Sequence, residues 1–78
     1  MRESDRQKFV QLASKRVSKA LHDIQLIGNL SNRSNYHYTE EDVAKIFGAL
    51  NAEIRASRKR FDLAMNSKGN SRQFSLEE

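Results

Sequence analysis

Few residues of this chain have the types and spacing that chemistry requires. The two histidines are His22 and His37, and there is no cysteine. His22 and Asp23 are neighbours on a predicted helix, where adjacent side chains point about 100° apart and do not form an oriented acid–base pair. No H-x-x-x-H or H-E-x-x-H spacing is present, no G-x-S-x-G motif surrounds a serine, and the three glycines form no phosphate cradle. We therefore predict a protein that is not an enzyme, with no catalytic residues, no metal site and no cofactor.

The polar stretch from Gly28 to Thr39 is the strongest candidate for a recognition surface. It combines asparagines and serines with one arginine and two tyrosines. Tyrosine offers a large contact area at low entropic cost, and its ring can also stack on the bases of single-stranded nucleic acid. The alternative is structural, because asparagine and serine build turns and the tyrosines can close the end of a core. The candidate partner-binding residues are Asn29, Asn32, Arg33, Asn35, Tyr36, His37 and Tyr38.

Basic residues form a second candidate surface. In an antiparallel hairpin they lie at the open end, formed by residues 1–20 and 51–63, whereas the loop end is acidic. Lysine and arginine gathered on one face are typical of phosphate binding. Two alternatives remain: the cations at 58–60 offset the negative end of a helix dipole, or the opposite charges of the two ends steer two hairpins together. The candidate basic patch comprises Lys15, Arg16, Lys19, Arg55, Arg58, Lys59 and Arg60.

Two helical patterns must position these surfaces. Most apolar residues from Phe9 to Ile27 fall within one arc of about 120°, which predicts an amphipathic helix over about 4–29, while Leu12 and Leu26 lie on a flank outside that arc. Ser4 or Asp5 can cap its start, and Gly28 can end it in the left-handed conformation.

The second helical pattern begins at Thr39 and predicts a helix over about 39–65. Thr39 can cap the amide of Asp42, although an aspartate stands where a capping box usually has Glu or Gln. A narrow apolar stripe follows from Val43 to Phe61. Beyond it the periodicity is lost, so we predict a hairpin domain over 1–65 and a flexible C-terminal tail over 66–78.

The small size of the chain predicts self-association. Its 78 residues are 37% hydrophobic, and a single core of this size rarely supplies more than about 3–5 kcal/mol without a disulfide, a metal or a partner. The predicted fold is therefore all-α: an antiparallel two-helix hairpin that dimerises into a four-helix bundle. A homo-oligomer and a protein partner are expected, nucleic acid is an alternative partner suggested by the net charge of +4, and no membrane partner is expected because no apolar run is long enough to span a bilayer. The absence of cysteine and of an N-terminal signal h-region predicts a cytoplasmic location.

The segment RVSKALHDIQLIGNLSNRSNYHYTEEDVAKIFGALNAEI resembles a small family of uncharacterised helical-hairpin proteins of bacteria or their mobile elements. The resemblance covers about half of the chain, and its specific part is the NLSNRSNY loop followed by the YTEEDV helix start. It implies a bacterial source and no known activity.

These observations predict a non-catalytic binding or regulatory module that acts through protein–protein interaction and self-association. One alternative is a nucleic-acid-binding accessory protein that uses the basic open end of the hairpin. Another is a small inhibitor or adaptor that docks on a larger bacterial protein.

Overall fold

The protein consists of two helices joined by a polar loop. The computed structural model describes the backbone of residues 3–75 and the side chains of residues 3–66. Helix α1 spans Glu3–Asn29 and helix α2 spans Glu40–Ser75, and no strand occurs in this described part. The predicted all-α helical hairpin, two helices connected by one loop, is confirmed. Its pairing into a four-helix bundle stays a prediction.

The chain divides between His37 and Tyr38 into two units, each built around one helix. In the first unit, α1 begins at Glu3. The prediction that Ser4 or Asp5 caps this helix is therefore wrong, because both lie inside its first turn together with Glu3. The two acids face the positive end of the helix dipole and stabilise this start.

The end of α1 differs from the prediction at Gly28. No described residue, glycine or other, has a positive φ angle, so Gly28 is helical and the left-handed stop is wrong. The amide of Leu30 donates to the Ile27 carbonyl at 3.0 Å, and the amide of Ser31 donates to the Gly28 carbonyl at 3.1 Å. These i→i+3 bonds tighten the last turn and satisfy the terminal carbonyls, which removes the need for a left-handed residue.

The start of α2 is a complete capping box. The Asp42 amide donates to Thr39 Oγ1 at 3.1 Å, and the Thr39 amide donates to Asp42 Oδ2 at 2.9 Å. The reciprocal bond therefore forms with aspartate in the position usual for glutamate. Glu40, Glu41 and Asp42 occupy the first turn, where negative charge is favourable.

The end of α2 lies beyond the predicted boundary. The prediction of an end near Met65 is wrong, because the helix continues to Ser75. The apolar stripe ends near Met65, but helix propensity does not depend on that stripe, and a single glycine opposes the helix by only about 1 kcal/mol. The predicted flexibility of the tail stays a prediction, since the side chains of residues 67–75 and all of residues 76–78 lie outside the described residues.

None of the side chains that the structure describes is buried. The apolar stripe of each helix is accessible to solvent, with Val17 55% exposed on α1 and Ile54 58% exposed on α2. Ala13 and Ile27 on α1 and Leu50 on α2 are the stripe residues of intermediate exposure among those described. The described part of one chain therefore presents its apolar surface rather than enclosing it.

Candidate partner-binding surfaces

The loop between the helices is organised by Asn32. Its side-chain Oδ1 accepts from the Ser34 amide at 2.9 Å, and its carbonyl accepts from the amides of Asn35 and Tyr36 at 3.1 and 3.0 Å. One residue thus anchors a turn over 32–36 through three hydrogen bonds. This is the local bonding that makes asparagine common in turns.

The candidate loop residues take different positions around this turn. Asn29 is the last residue of α1, and Asn32 uses both its side chain and its carbonyl to hold the turn. Arg33 and Asn35 lie within the turn, and Tyr36, with 48% of its surface exposed, follows directly. Asn32 therefore has a structural role, and the residues that it positions present the exposed surface.

The remaining candidate loop residues lead into α2. His37 is exposed, and Tyr38 is partly covered and directly precedes the capping threonine. The Thr39–Asp42 box fixes the chain where α2 begins. Hydrogen bonds therefore order the turn over 32–36 in the first unit and the capping box in the second unit.

The basic residues of α1 lie together on one helix. Lys15, Arg16 and Lys19 fall within an arc of about 100° at helical spacing. Lys19 Nζ lies 3.1 Å from Asp23 Oδ2, an i,i+4 ion pair in which the lysine is 75% exposed. An exposed pair of this kind contributes only a few tenths of a kcal/mol to stability. Both charges remain accessible to a partner because both side chains are at least half exposed.

The basic residues of α2 lie near the middle of that helix. Arg55, Arg58 and Lys59 share an arc of about 100°, and Arg60 lies on a different side. Arg58 Nε donates to Asp62 Oδ1 at 3.2 Å. Arg60 borders an open depression of about 420 Å³ lined also by Ser57, Phe61 and Ala64. Of the predicted basic patch, three members thus lie on α1 and four on α2.

The extended α2 changes the interpretation of the cations at 58–60. The helix ends at Ser75, about four turns beyond Arg60, whereas the dipole effect falls off within the last turn. Compensation of the helix dipole therefore does not explain why these three residues are basic.

The exposed face of α1 carries a regularity finer than the predicted arc. Apolar residues recur at alternating spacings of three and four, the heptad pattern of helices that pair side by side. We call this set the α1 seam; its members are Val10, Ala13, Val17, Ala20, Ile24 and Ile27. A search for arcs at 100° per residue does not separate it from its neighbours, whereas a count of three-four spacings does.

The corresponding α2 stripe is less regular. Val43, Phe47, Leu50, Ile54 and Phe61 also follow three-four spacing, but the position between the last two is Ser57. A serine in such a stripe adds a hydroxyl group, and a surface that covers the stripe must either hydrogen-bond this hydroxyl or leave it hydrated.

The described residues bring no metal-binding group together. No cluster of three or more His, Cys, Asp or Glu side chains occurs among them. His22 lies on α1 and His37 in the loop. No helix in the part of the chain that the structure describes is long and apolar enough to cross a membrane.

Comparison with known proteins leaves these surfaces as the basis for functional inference. The resemblance of the loop to bacterial hairpin proteins stays a prediction. The chain matches no protein-family model, no curated protein and no solved structure.

Proposed function

We propose that the protein is a non-catalytic binding or regulatory module that self-associates through its helices and recognises a protein partner through its loop. The observation that carries this proposal is the absence of any buried side chain among residues 3–66. Long amphipathic helices whose apolar faces stay in water gain stability when another surface covers those faces.

Self-association is tested by sedimentation equilibrium of the full chain over a wide concentration range. The monomer mass is 9.0 kDa, and we expect a dimer, with two hairpins completing a four-helix bundle. A species of monomer mass that persists at high concentration would contradict this part of the proposal.

Recognition by the loop is supported by its built geometry. Hydrogen bonds order the turn around Asn32 and the capping box at Thr39. The residues of the turn and the box therefore lose little conformational entropy when a partner binds. A loop of this length within a small domain is more often functional than a short connection.

The loop proposal is tested with the double variant Arg33→Ala/Tyr36→Ala in a two-hybrid or pull-down screen for protein partners. We expect capture to be lost while thermal stability changes little, because both residues lie outside the helices. The matched control is Lys45→Ala, which removes an exposed charge from α2 outside the loop. A large fall in melting temperature for the double variant would instead assign these residues to the structure.

A second candidate function is nucleic-acid binding by the basic residues of α2. It is favoured by the position of Arg58, Lys59 and Arg60 in the interior of the helix, where the dipole does not call for cations. Binding of this kind weakens steeply with salt and with the triple substitution of these residues by alanine. Absence of retention on single- or double-stranded probes at low salt would exclude it.

A further inference from the structure

The α1 seam is an apolar strip with no cover inside its own unit. Every residue of α1 is at least partly exposed, and none is buried. We propose that α1 pairs with α1 of a second copy of this chain, antiparallel, with the two-fold axis passing between Ser18 and Lys19. This inference rests on the self-association in the proposed function and specifies which helix, which direction and which register carry it.

The proposed register uses every residue of the seam. Two antiparallel helices related by this axis place Val10 opposite Ile27 of the second copy, Ala13 opposite Ile24, and Val17 opposite Ala20. Symmetry repeats each layer, so six layers form without a polar residue among them. The pairing sets the small alanines against larger partners, which lets the layers interdigitate at even volume.

On one side of the seam, the flanking residues are complementary in the same register. In antiparallel helix pairs, the residues directly before Val10, Val17 and Ile24 face the equivalent residues of the other helix. Phe9 then lies beside Leu30 of the second copy, which is the first residue after α1 and continues its last turn through the bond to Ile27; both side chains are about half exposed in the single chain. Arg16 meets Asp23 of the second copy, cation against anion, and symmetry gives this ion pair twice.

The charge pattern also excludes the neighbouring registers. A shift of one heptad in one direction brings Arg16 against Arg16 of the second copy, and a shift in the other direction brings Asp23 against Asp23. A parallel pair places Arg16 beside Leu21 and Asp23 beside Gly28, with no ion pair at either position. Like charges in contact oppose association, so charge selects direction and register where apolar contact alone does not.

The surface outside the seam is compatible with this assembly. Lys8 and Lys15 lie on the face of α1 opposite the seam, at the heptad position farthest from a partner helix. Lys19 holds the carboxylate of Asp23 at 3.1 Å from the outer side, and that carboxylate side chain remains 51% exposed. The pairing therefore buries no lone charge.

Disulfide trapping tests direction and register. The chain has no cysteine, so Val10→Cys and Ile27→Cys are each the sole thiol in a full-length variant. In the proposed dimer, position 10 of one copy lies opposite position 27 of the other, about 25 Å along the helix from the other copy's position 10. Each variant alone therefore forms no disulfide between its two copies. A mixture of the two variants brings the thiols within reach of a normal bridge and forms the mixed disulfide. Self-cross-linking of each variant alone indicates a parallel pair and overturns the inference.

Sedimentation of the reduced variants separates the two levels of the proposal. A dimer that yields no mixed disulfide overturns the α1 pairing and leaves self-association standing, with α2 or another surface as its site. A monomer at high concentration for the unaltered chain overturns both.

Charge exchange gives an independent test that keeps the seam intact. Arg16→Glu and Asp23→Lys each create two like-charge contacts, and we expect each to raise the dimer dissociation constant at least about tenfold. The double variant Arg16→Glu/Asp23→Lys restores the pairs and returns the constant to within about threefold of the original. Lys15→Glu, the same change of charge one residue away on the opposite face, is the matched control and leaves it nearly unchanged. A double variant no tighter than either single variant would overturn the register.

Discussion

The two helices differ in the regularity of their exposed apolar faces and in the bonds at their starts. On α1 the α1 seam is apolar at every position through three heptads, and flanking charges of opposite sign accompany it. On α2 the stripe is interrupted at Ser57, and the helix continues beyond the stripe to Ser75. The start of α2 is set by local side-chain bonds, whereas α1 has no comparable box among its described hydrogen bonds.

This contrast separates two sources of helix stability. A capping box contributes whether or not a partner is present, because its bonds lie within four consecutive residues. An apolar seam contributes only when another surface covers it. We therefore expect α1 to respond most to changes that affect association and α2 to respond most to changes at its first turn.

The largest expected effect comes from placing one charge in each apolar stripe. Val17 and Ile54 are matched, both β-branched and both just over half exposed in the single chain. Val17→Asp puts two carboxylates in the central layers of the proposed α1 pair. We expect the dissociation constant of that dimer to rise more than about 100-fold, because an uncompensated charge in such a layer is strongly unfavourable. Ile54→Asp should raise it about tenfold or less.

Sedimentation equilibrium on both variants measures this difference, and circular dichroism at matched concentration shows whether the helices persist. If Ile54→Asp disrupted the dimer more than Val17→Asp, then α2 rather than α1 would carry the association.

Much of this architecture is predictable because local patterns dictate it. The apolar arc from Phe9 to Ile27 predicts α1, and the Thr39 cap predicts the start of α2 to within one residue. These features depend on spacing and on side chains that bond to nearby amides, which a single sequence displays directly.

The failures occur where the local signal permits more than one outcome. Gly28 is compatible with a left-handed stop and with a helical turn closed by i→i+3 bonds, and glycine itself does not choose between them. The sequence places the end of α2 too early, because the loss of an apolar stripe resembles the end of a helix. Asn32 is a candidate for binding by sequence alone, because one asparagine side chain serves a partner or its own backbone equally well.

The next effect in size concerns the cap of α2. Thr39→Ala removes the acceptor of the Asp42 amide, and we expect it to destabilise the start of α2 by about 1 kcal/mol. Ser4→Ala is the matched control on α1, where the serine lies inside the first turn and should change stability by less than about 0.3 kcal/mol.

Amide hydrogen exchange over residues 40–43 and thermal melts at fixed protein concentration measure these changes, because the melting temperature of a dimer depends on concentration. Equal loss in the two variants would show that Ser4 caps α1 and would remove this difference between the helices.

Gly28→Ala distinguishes the observed end of α1 from the predicted one. Gly28 is helical, and a β-carbon added there meets nothing within 4 Å. Alanine should therefore stabilise the helix, by up to about 1 kcal/mol. A left-handed Gly28 would instead make the substitution destabilising, since only glycine adopts that conformation without strain.

Gly48→Ala on α2 provides the reference, because that glycine is also helical and equally open. Both substitutions should raise the melting temperature in the same direction. A higher melting temperature for Gly48→Ala together with a lower one for Gly28→Ala would show that Gly28 ends α1 in the left-handed conformation.

The smallest expected effect lies in the loop and concerns order rather than global stability. Asn32→Ala removes the side-chain acceptor of the Ser34 amide but keeps the carbonyl that binds the amides of Asn35 and Tyr36. We expect a loss of about 0.5 kcal/mol or less, because the group is exposed and water replaces the lost acceptor. Amide exchange at Ser34 should accelerate, while that of Asn35 and Tyr36 changes less.

Since Arg33 lies inside the same turn, partner binding should weaken in Asn32→Ala even though no contacting side chain is altered. Partner affinity that is unchanged when Ser34 exchange accelerates would mean that the loop binds through its side chains irrespective of the turn.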